Sequence, residues 1–137
     1  MQVNSTFAVT SFEPTEYTSP IRTGLDVGHT FMTKSFSGDL EGQSRTQFSS
    51  AFSQETGTGT YVAMESFEGT VAGRRGAFNF AHMATTDGET RSHHHLVIVP
   101  TSGTGELAGI TGTGELVVDG DDTHRLRLDV EFGSTTD

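Results

Sequence analysis

Cysteine and tryptophan are absent from this chain of 137 residues, and proline occurs only three times. Without cysteine the chain has no disulfide framework, no thiolate nucleophile and no cysteine-ligated zinc. Apolar runs stay far below the roughly eighteen residues that a membrane-spanning helix needs. The first residues also lack the basic segment and the apolar run of a secretory signal. These absences predict a soluble, cytoplasmic protein.

Basic residues are also scarce. Eight lysines and arginines face eighteen aspartates and glutamates, which gives a formal net charge of −10. Proteins that bind a nucleic-acid backbone or an anionic membrane surface use lysine and arginine to neutralise phosphates. The charge balance therefore predicts neither a nucleic-acid partner nor a membrane partner.

Glycine, with 17 residues, and phenylalanine, with ten, are abundant, and serine and threonine are frequent. This composition suits tight turns and pleated surfaces, and no segment of ten residues shows helical periodicity. The length fits a single domain over residues 1–137. We therefore predict an all-β domain.

Apolar and polar residues alternate in eight segments, as in half-buried strands. Pro14 is expected to end or bend the first segment, and Asp87-Gly88 to make a tight turn after the fifth. The segments are residues 3–9, 25–31, 48–52, 61–69, 78–82, 96–99, 111–118 and 126–132. Eight antiparallel strands joined by short turns predict an up-and-down barrel, which is just wide enough to be filled by side chains or to hold one small ligand.

The stretch from Gly103 to Leu116 reads GTGELAGITGTGEL and repeats GTGEL nine residues apart. Five glycines allow positive φ and close backbone approach, so we expect a structured corner with one helical turn over residues 106–110 that covers a barrel mouth. The segment lacks the Lys-Ser/Thr ending of a phosphate-binding loop. A phosphate site is therefore not expected here.

Several of these motifs together resemble a bacterial family of unknown function whose members form an allene-oxide-cyclase-like β-barrel. They are YVAME at residues 61–65, GRRGAF at residues 73–78, and the proline-ended strand six that leads into SGTGELAGITG. The resemblance covers residues 6–132 and is most specific over residues 100–112. It implies the eight-stranded barrel and assigns no reaction.

Two polar side chains are predicted to point into this barrel. Glu65 shares its strand face with Phe67, and His82 shares the next with Phe80. A hairpin turn centred on Arg74 and Arg75 sets His82 opposite Phe67, two residues from Glu65. Such a pair can act as acid and base. Alternatively, Glu65 caps a barrel end through the backbone or an arginine, and His82 is a hydrogen-bonded core histidine.

The predicted interior is otherwise aromatic, which favours a small hydrophobic ligand. His29 is expected on an inner face together with Phe31. Phe7, Phe48 and Leu128 are further interior positions. The candidate ligand-binding residues are Glu65, His82, His29, Phe31, Phe67, Phe78, Phe80 and Tyr61.

Three functions are consistent with these residues. The first is a small-molecule binding barrel. The second is an isomerase or cyclase in which Glu65 or His82 moves a proton, and the third is a filled barrel that acts through subunit contacts. A packed interior around Glu65 would exclude the first two.

His93, His94 and His95 stand in a row, but neighbours in a strand alternate sides, so one face cannot hold all three. We therefore expect solvated or interface histidines, with no metal and no cofactor. Val62 and Met64 fall on the outward face of strand four, where exposed apolar residues suggest subunit contact. They make a homodimer the expected assembly.

Overall fold

The computed structural model describes residues 1–133. One short 3₁₀ turn, Gly105–Leu107, accompanies the sheet, and the described part of the chain contains no helix with the length and apolar composition to cross a bilayer. Most strands extend beyond the predicted limits. The strands are β1 (Gln2–Thr18), β2 (Val27–Gly38), β3 (Leu40–Phe52), β4 (Thr58–Val71), β5 (Arg74–Asp87), β6 (Arg91–Ile98), β7 (Thr111–Val118) and β8 (His124–Glu131).

The eight strands form one closed antiparallel barrel in which each strand pairs with the next and β8 pairs with β1. This confirms the predicted all-β, up-and-down architecture. The hairpins at residues 38–40 and 71–74 lie at what we call the closed end, and the end where β3 stops and β6 starts is the open end. The two ends differ in how the interior is sealed.

Residues 99–110, which we call the cap segment, seal the closed end. The 3₁₀ turn within them inserts Leu107, followed by Ile110, and both side chains are fully buried in the core. A side chain on Gly103 would collide with the Leu107 carbonyl oxygen, so this close approach requires glycine. The predicted helical turn over one mouth is confirmed, although it is shorter than predicted.

The turn between β4 and β5 lies two residues earlier than expected. Val71 pairs with Arg74, so the turn consists of Ala72 and Gly73, which have φ values of +50° and +82°. Two-residue hairpin turns with positive φ at both positions match the right-handed twist of the flanking strands. The predicted centre at Arg74 and Arg75 is therefore wrong.

The earlier turn changes which residues of β4 and β5 face each other. His82 lies opposite Ala63 rather than Phe67, and Glu65 lies opposite Phe80. Because the register moves by an even number of residues, every side chain keeps its predicted face. Glu65 and His82 thus both point inward and lie close together, although the predicted pairing was wrong.

The predicted inner face of β2 is wrong. His29 and Phe31 lie outside the barrel, where Phe31 is 40% exposed, while Thr30 and Lys34 on the opposite face are buried inside. The apolar alternation that pointed to Phe31 marks the outer face, because the inner face of this strand carries polar side chains. His29 and Phe31 therefore cannot line the interior.

Pro14 does not end β1, which continues to Thr18 with a register shift after Pro14. β1 pairs with β8 only as far as Phe7, so beyond that residue one of its edges is open. Proline is tolerated on such an edge because no ladder hydrogen bond is lost there.

Candidate functional site

Glu65 is the centre of a buried polar network. Lys34 Nζ donates to Glu65 Oε1 at 2.9 Å, His82 Nε2 donates to the same oxygen at 2.8 Å, and Ser44 Oγ donates to Oε2 at 2.5 Å. Glu65 is 0% exposed, and the side chain of Lys34 is 4% exposed. Three donors from β2, β3 and β5 therefore converge on one carboxylate of β4.

These donors keep Glu65 ionised. Burial by itself would raise the pKa of the carboxyl. The hydrogen bond from His82, the positive charge of Lys34 and the hydrogen bond from Ser44 outweigh burial and lower the pKa of Glu65 to about 2. The interior thus holds a fixed negative charge beside a fixed positive charge.

The network continues from His82 to Tyr61. Burial lowers the pKa of His82, so the ring is neutral at pH 7, and its single hydrogen lies on Nε2, facing the Glu65 carboxylate. Nδ1 is then an acceptor, and the Tyr61 hydroxyl donates to it at 2.8 Å. Burial also raises the pKa of Tyr61, so this hydroxyl keeps its proton.

One hydroxyl beside the network has no partner. Thr46 is fully buried opposite Glu65 on β3, and its Oγ1 is the one buried side-chain polar atom within residues 1–133 without a hydrogen bond. An unused hydroxyl next to an ion pair costs free energy. It also leaves one further donor beside the Glu65 carboxylate.

Tyr61 forms the floor of a cavity of about 390 Å³ at the open end, here called the mouth cavity. The Tyr61 ring stacks on Phe48 with centroids 4.9 Å apart. Phe12 and Phe52 line the cavity while remaining 56% and 49% exposed. Large apolar side chains on inward-facing positions are thus accessible from the open end.

Arg91, at the start of β6, is the one basic side chain among the described residues of the mouth cavity. Its guanidinium lies 5.9 Å from the centroid of the Tyr61 ring. Within residues 1–133 it has no carboxylate within ion-pair distance. The cavity therefore combines aromatic walls with one unpaired positive charge.

Larger depressions of about 930 and 1300 Å³ lie mainly across the outer face of the sheet. The first is lined by outward apolar side chains that include Val62, Met64 and Val97.

His82 also borders the first depression, and Lys34 and Ser44 border the second, so all three adjoin the polar network. The mouth cavity is smaller, but it is the one walled by inward-facing aromatic side chains that remain exposed, and Tyr61 connects it to the network. For this reason we place the candidate site there. Glu65 itself is fully buried beneath Tyr61, so the interior around its carboxylate offers no room for a ligand, and the ligand hypotheses apply to the mouth cavity instead.

The sequence-predicted residues separate into two layers. Tyr61 lines the mouth cavity, with His82 and Glu65 in line behind it. Phe67, Phe78 and Phe80 are buried in the core below and do not line that cavity. They contact one another as a column of rings with centroid distances of 5.4 and 5.9 Å.

Sequence reasoning missed Lys34, Ser44 and Arg91. Lys34 carried a usable signal, because it shares strand parity with Phe36 and a buried Glu65 requires a positive partner. Arg91 carried no such signal, since it precedes the predicted strand six.

The three consecutive histidines, His93 to His95, are exposed at the start of β6, and His93, with a φ of +52°, lies where the pairing of β6 with β5 changes register. Within residues 1–133 no three histidine, aspartate or glutamate side chains are grouped closely enough to hold a metal ion. His94 and His95 line the first outer depression, which His82 also borders.

A family model described as a protein of unknown function (DUF3224) matches residues 3–130. The chain belongs to the DUF3224 family. A crystal structure of a DUF3224 protein of unknown function from Shewanella oneidensis MR-1 is 31% identical to it, with a TM-score of 0.86 and 98% of each chain covered. The comparison with curated proteins finds no match.

Membership in DUF3224 confirms the resemblance to a bacterial family of unknown function that the sequence predicted. The likeness to the allene oxide cyclase barrel stays a prediction. Because the DUF3224 description names no reaction or ligand, any functional conclusion for this member depends on the polar network and the mouth cavity.

Proposed function

We propose that this protein binds a small hydrophobic molecule in the mouth cavity. The observation that carries the proposal is the exposure of Phe12 and Phe52, both of which face the cavity at the open end. Elsewhere in the described barrel, inward-facing phenylalanine rings are buried or half-buried. Exposed aromatic walls around a concave site lose their contact with water when an apolar ligand enters.

The shape of the site supports a ligand of modest size. A volume of about 390 Å³ lies at the lower end of the range of small-molecule pockets. Phe48 and Tyr61 offer stacked ring faces, and Ala84 adds a small wall residue opposite Tyr61. A flat or linear apolar group therefore fits better than a bulky polar one.

A fluorescence titration with N-phenyl-1-naphthylamine tests the proposal, because this neutral probe brightens in apolar sites and the chain contains no tryptophan. Ala84→Trp should weaken probe binding at least tenfold, since an indole at this position fills the cavity. The matched control is Ala8→Trp, which places the same ring on an exposed, outward position of β1.

We expect Ala8→Trp to bind the probe as the wild type does. Circular dichroism and thermal unfolding of both variants check that the barrel is intact. If the folded Ala84→Trp protein binds the probe as tightly as the wild type, the probe binds elsewhere and the proposal is overturned. Absence of binding to the wild type overturns it as well.

A second candidate function is proton transfer to or from the bound molecule. The specific observation in its favour is the line of groups from Tyr61 through neutral His82 to ionised Glu65. When the Tyr61 oxygen takes a proton from a ligand, its own proton passes to His82 Nδ1, and the Glu65 carboxylate stabilises the imidazolium that forms. Tyr61 would be the catalytic residue and Glu65 a positioning residue.

The base-promoted ring opening of 5-nitrobenzisoxazole tests this candidate, because removal of one carbon-bound proton releases a coloured phenolate. Glu65→Gln and His82→Ala should lower the rate at least tenfold while the titration still shows a bound naphthylamine probe. Equal loss of rate and probe binding favours a receptor, and a rate unchanged in both variants contradicts the candidate.

The partner proposed for the outer face is a second copy of the chain. Val62, Met64 and Val97 leave about half of their side chains exposed on neighbouring outward positions. Burying them in a homodimer would remove this apolar surface from water. Sedimentation velocity should show a dimer that Met64→Asp converts to a monomer, and a monomeric wild type contradicts this arrangement.

A further inference from the structure

We infer that the molecule bound in the mouth cavity carries a carboxylate, which Arg91 anchors at the rim. This inference rests on the proposed function, because it specifies the chemistry of the same cavity. It follows from which polar groups of the cavity are already committed to partners and which are free.

The Tyr61 hydroxyl is committed. Its hydrogen points to His82 Nδ1, because the only hydrogen of that ring already points to Glu65. The hydroxyl can therefore accept a hydrogen bond from a ligand, but it can donate one only by breaking the network. A ligand carbonyl or carboxylate does not find its donor here.

The threonines of the cavity are partly engaged and offer only neutral hydroxyl donors. Thr60 and Thr85 bond each other through their hydroxyls at 2.8 Å, and Thr86 Oγ1 accepts the Gly88 N–H at 3.2 Å. Arg91 is different, since its guanidinium offers five N–H donors in a planar fork and has no ion-pair partner within residues 1–133. One side of this fork lies close enough to the Tyr61 hydroxyl to act on its pKa, and the guanidinium has no carboxylate among the described residues to neutralise it. The charged donor of the cavity is therefore an arginine.

The nearest loop does not neutralise this arginine. Asp87 ends β5 next to the start of β6, but its Oδ1 accepts the N–H groups of Glu89 and Thr90 at 2.9 and 2.7 Å. The Asp87 carboxylate is thus turned to the loop backbone. Arg91 remains a cation facing a cavity in a protein whose net charge of −10 repels anions elsewhere.

A carboxylate is the anion that suits this geometry. The guanidinium fork binds a planar carboxylate through two parallel hydrogen bonds, and the aromatic walls accept the apolar part of the same molecule. The Arg91 guanidinium also lies over the Tyr61 ring, at a distance that allows a weak cation–π attraction. The predicted ligand class is accordingly a hydrophobic carboxylic acid with its head group at the open end.

Competition between octanoate and octanol for the naphthylamine probe tests the inference, because the two molecules differ only in the head group. Arg91→Gln should lower the ratio of octanoate affinity to octanol affinity roughly tenfold. The control is Arg45→Gln, which removes the same charge from an exposed, outward position of β3 and should leave the ratio unchanged.

The outcomes separate the two proposals. If the probe binds in an Ala84-dependent manner but the ratio is the same in Arg91→Gln and the wild type, the carboxylate anchor is overturned and the cavity proposal stands. If probe binding does not depend on Ala84, the carboxylate anchor and the cavity proposal are both overturned. An equal change in Arg45→Gln would show a general charge effect and would also overturn the anchor.

Discussion

Lys34 is buried because Glu65 accepts its hydrogen bond inside the barrel, and neither charge would be tolerated there alone. Transfer of a lone charge into a protein interior costs several kcal/mol, whereas a well-packed apolar pair in the same space is often as stable as the ion pair. The network therefore makes each residue dependent on the other, and a mutational cycle can measure that dependence.

We predict that Lys34→Met destabilises the protein by about 3 to 5 kcal/mol, because it leaves Glu65 with a buried charge and only neutral donors. Adding Glu65→Leu to Lys34→Met should recover most of this loss. Urea unfolding of the wild type, both single variants and the double variant measures the cycle. Additive losses in the double variant would contradict the mutual dependence of the two charges.

The lowered pKa of Glu65 predicts how stability depends on pH. The folded pKa is about 2 and the unfolded value is 4.5, so between these values the unfolded chain binds a proton that the folded chain does not. Stability is thus fully present above pH 4.5 and is lost as the pH falls towards 2, by about 3 kcal/mol for this group. Urea unfolding at several pH values in this window measures the loss.

Glu65→Gln should lose less stability over the same pH window than the wild type, because its side chain does not titrate. Glu68→Gln, which removes an exposed carboxylate from the outward face of the same strand, should behave like the wild type. Equal slopes of stability against pH in Glu65→Gln and the wild type would contradict the assignment of this loss to Glu65.

His82 affects stability in the same direction at higher pH. Its pKa is lowered from 6.5 in the folded protein, so its contribution to stability begins to decline as the pH falls below 6.5.

At the scale of the elements, two glycines serve different purposes. Gly73 completes the β4–β5 turn with a φ of +82°, and a Cβ at this position would meet open space. Gly103 has no positive φ, but a Cβ there would press against the Leu107 carbonyl oxygen in the cap segment. The first glycine is thus required by backbone conformation and the second by space.

We predict that Gly73→Ala costs about 1 kcal/mol of unfolding free energy, the cost of a left-handed conformation. Gly103→Ala should cost about 3 kcal/mol, because the cap segment must move away from the closed end. Gly24→Ala, where neither constraint applies, should stay within about 0.5 kcal/mol of the wild type. Thermal and urea unfolding measure the series, and the reverse order for Gly73 and Gly103 would contradict this account.

The elements also show how far the sequence could be interpreted. Alternation located all eight strands and put Glu65 and His82 on the inner face, since the period of two survives an even error in register. It failed on β2, where the inner face carries Thr30 and Lys34 while Phe31 faces outward. Hydrophobicity alone cannot identify the inner face of a strand whose interior side chains form a charged network.

Site residues from one hairpin were therefore predicted, whereas Lys34, which meets Glu65 across the barrel, was missed although its strand parity with Phe36 carried a signal. Glu65 and His82 lie on adjacent strands whose turn is visible in the sequence. Lys34 meets Glu65 from a strand two places away, and Arg91 likewise lies two strands away from Tyr61. The single domain, the cytoplasmic location and the homodimer stay predictions.

At the scale of the whole molecule, the barrel is closed unevenly. β4 and β5 pair along their full length, whereas β6 and β7 share the single residue pair Val97 and Thr113. The cap segment, rather than a tight turn, connects β6 to β7. The seam between these two strands is therefore the weakest in the sheet.

We predict that amide groups pointing into the β6–β7 seam exchange with solvent at least tenfold faster than those between β4 and β5, because local opening needs fewer broken hydrogen bonds there. Hydrogen–deuterium exchange followed by NMR measures both sets in one experiment. Uniform protection around the barrel would contradict this prediction.

The ion pair that spans β2 and β4 has one more consequence, for assembly of the sheet. Lys34 and Glu65 meet only after β3 has been placed between their strands. A shift of β2 by one residue would turn Lys34 to the outside and leave the Glu65 carboxylate buried in the core without its positive partner. The pair therefore favours the correct register mainly by destabilising the misaligned barrel, since an unpaired buried charge costs more free energy than the ion pair contributes.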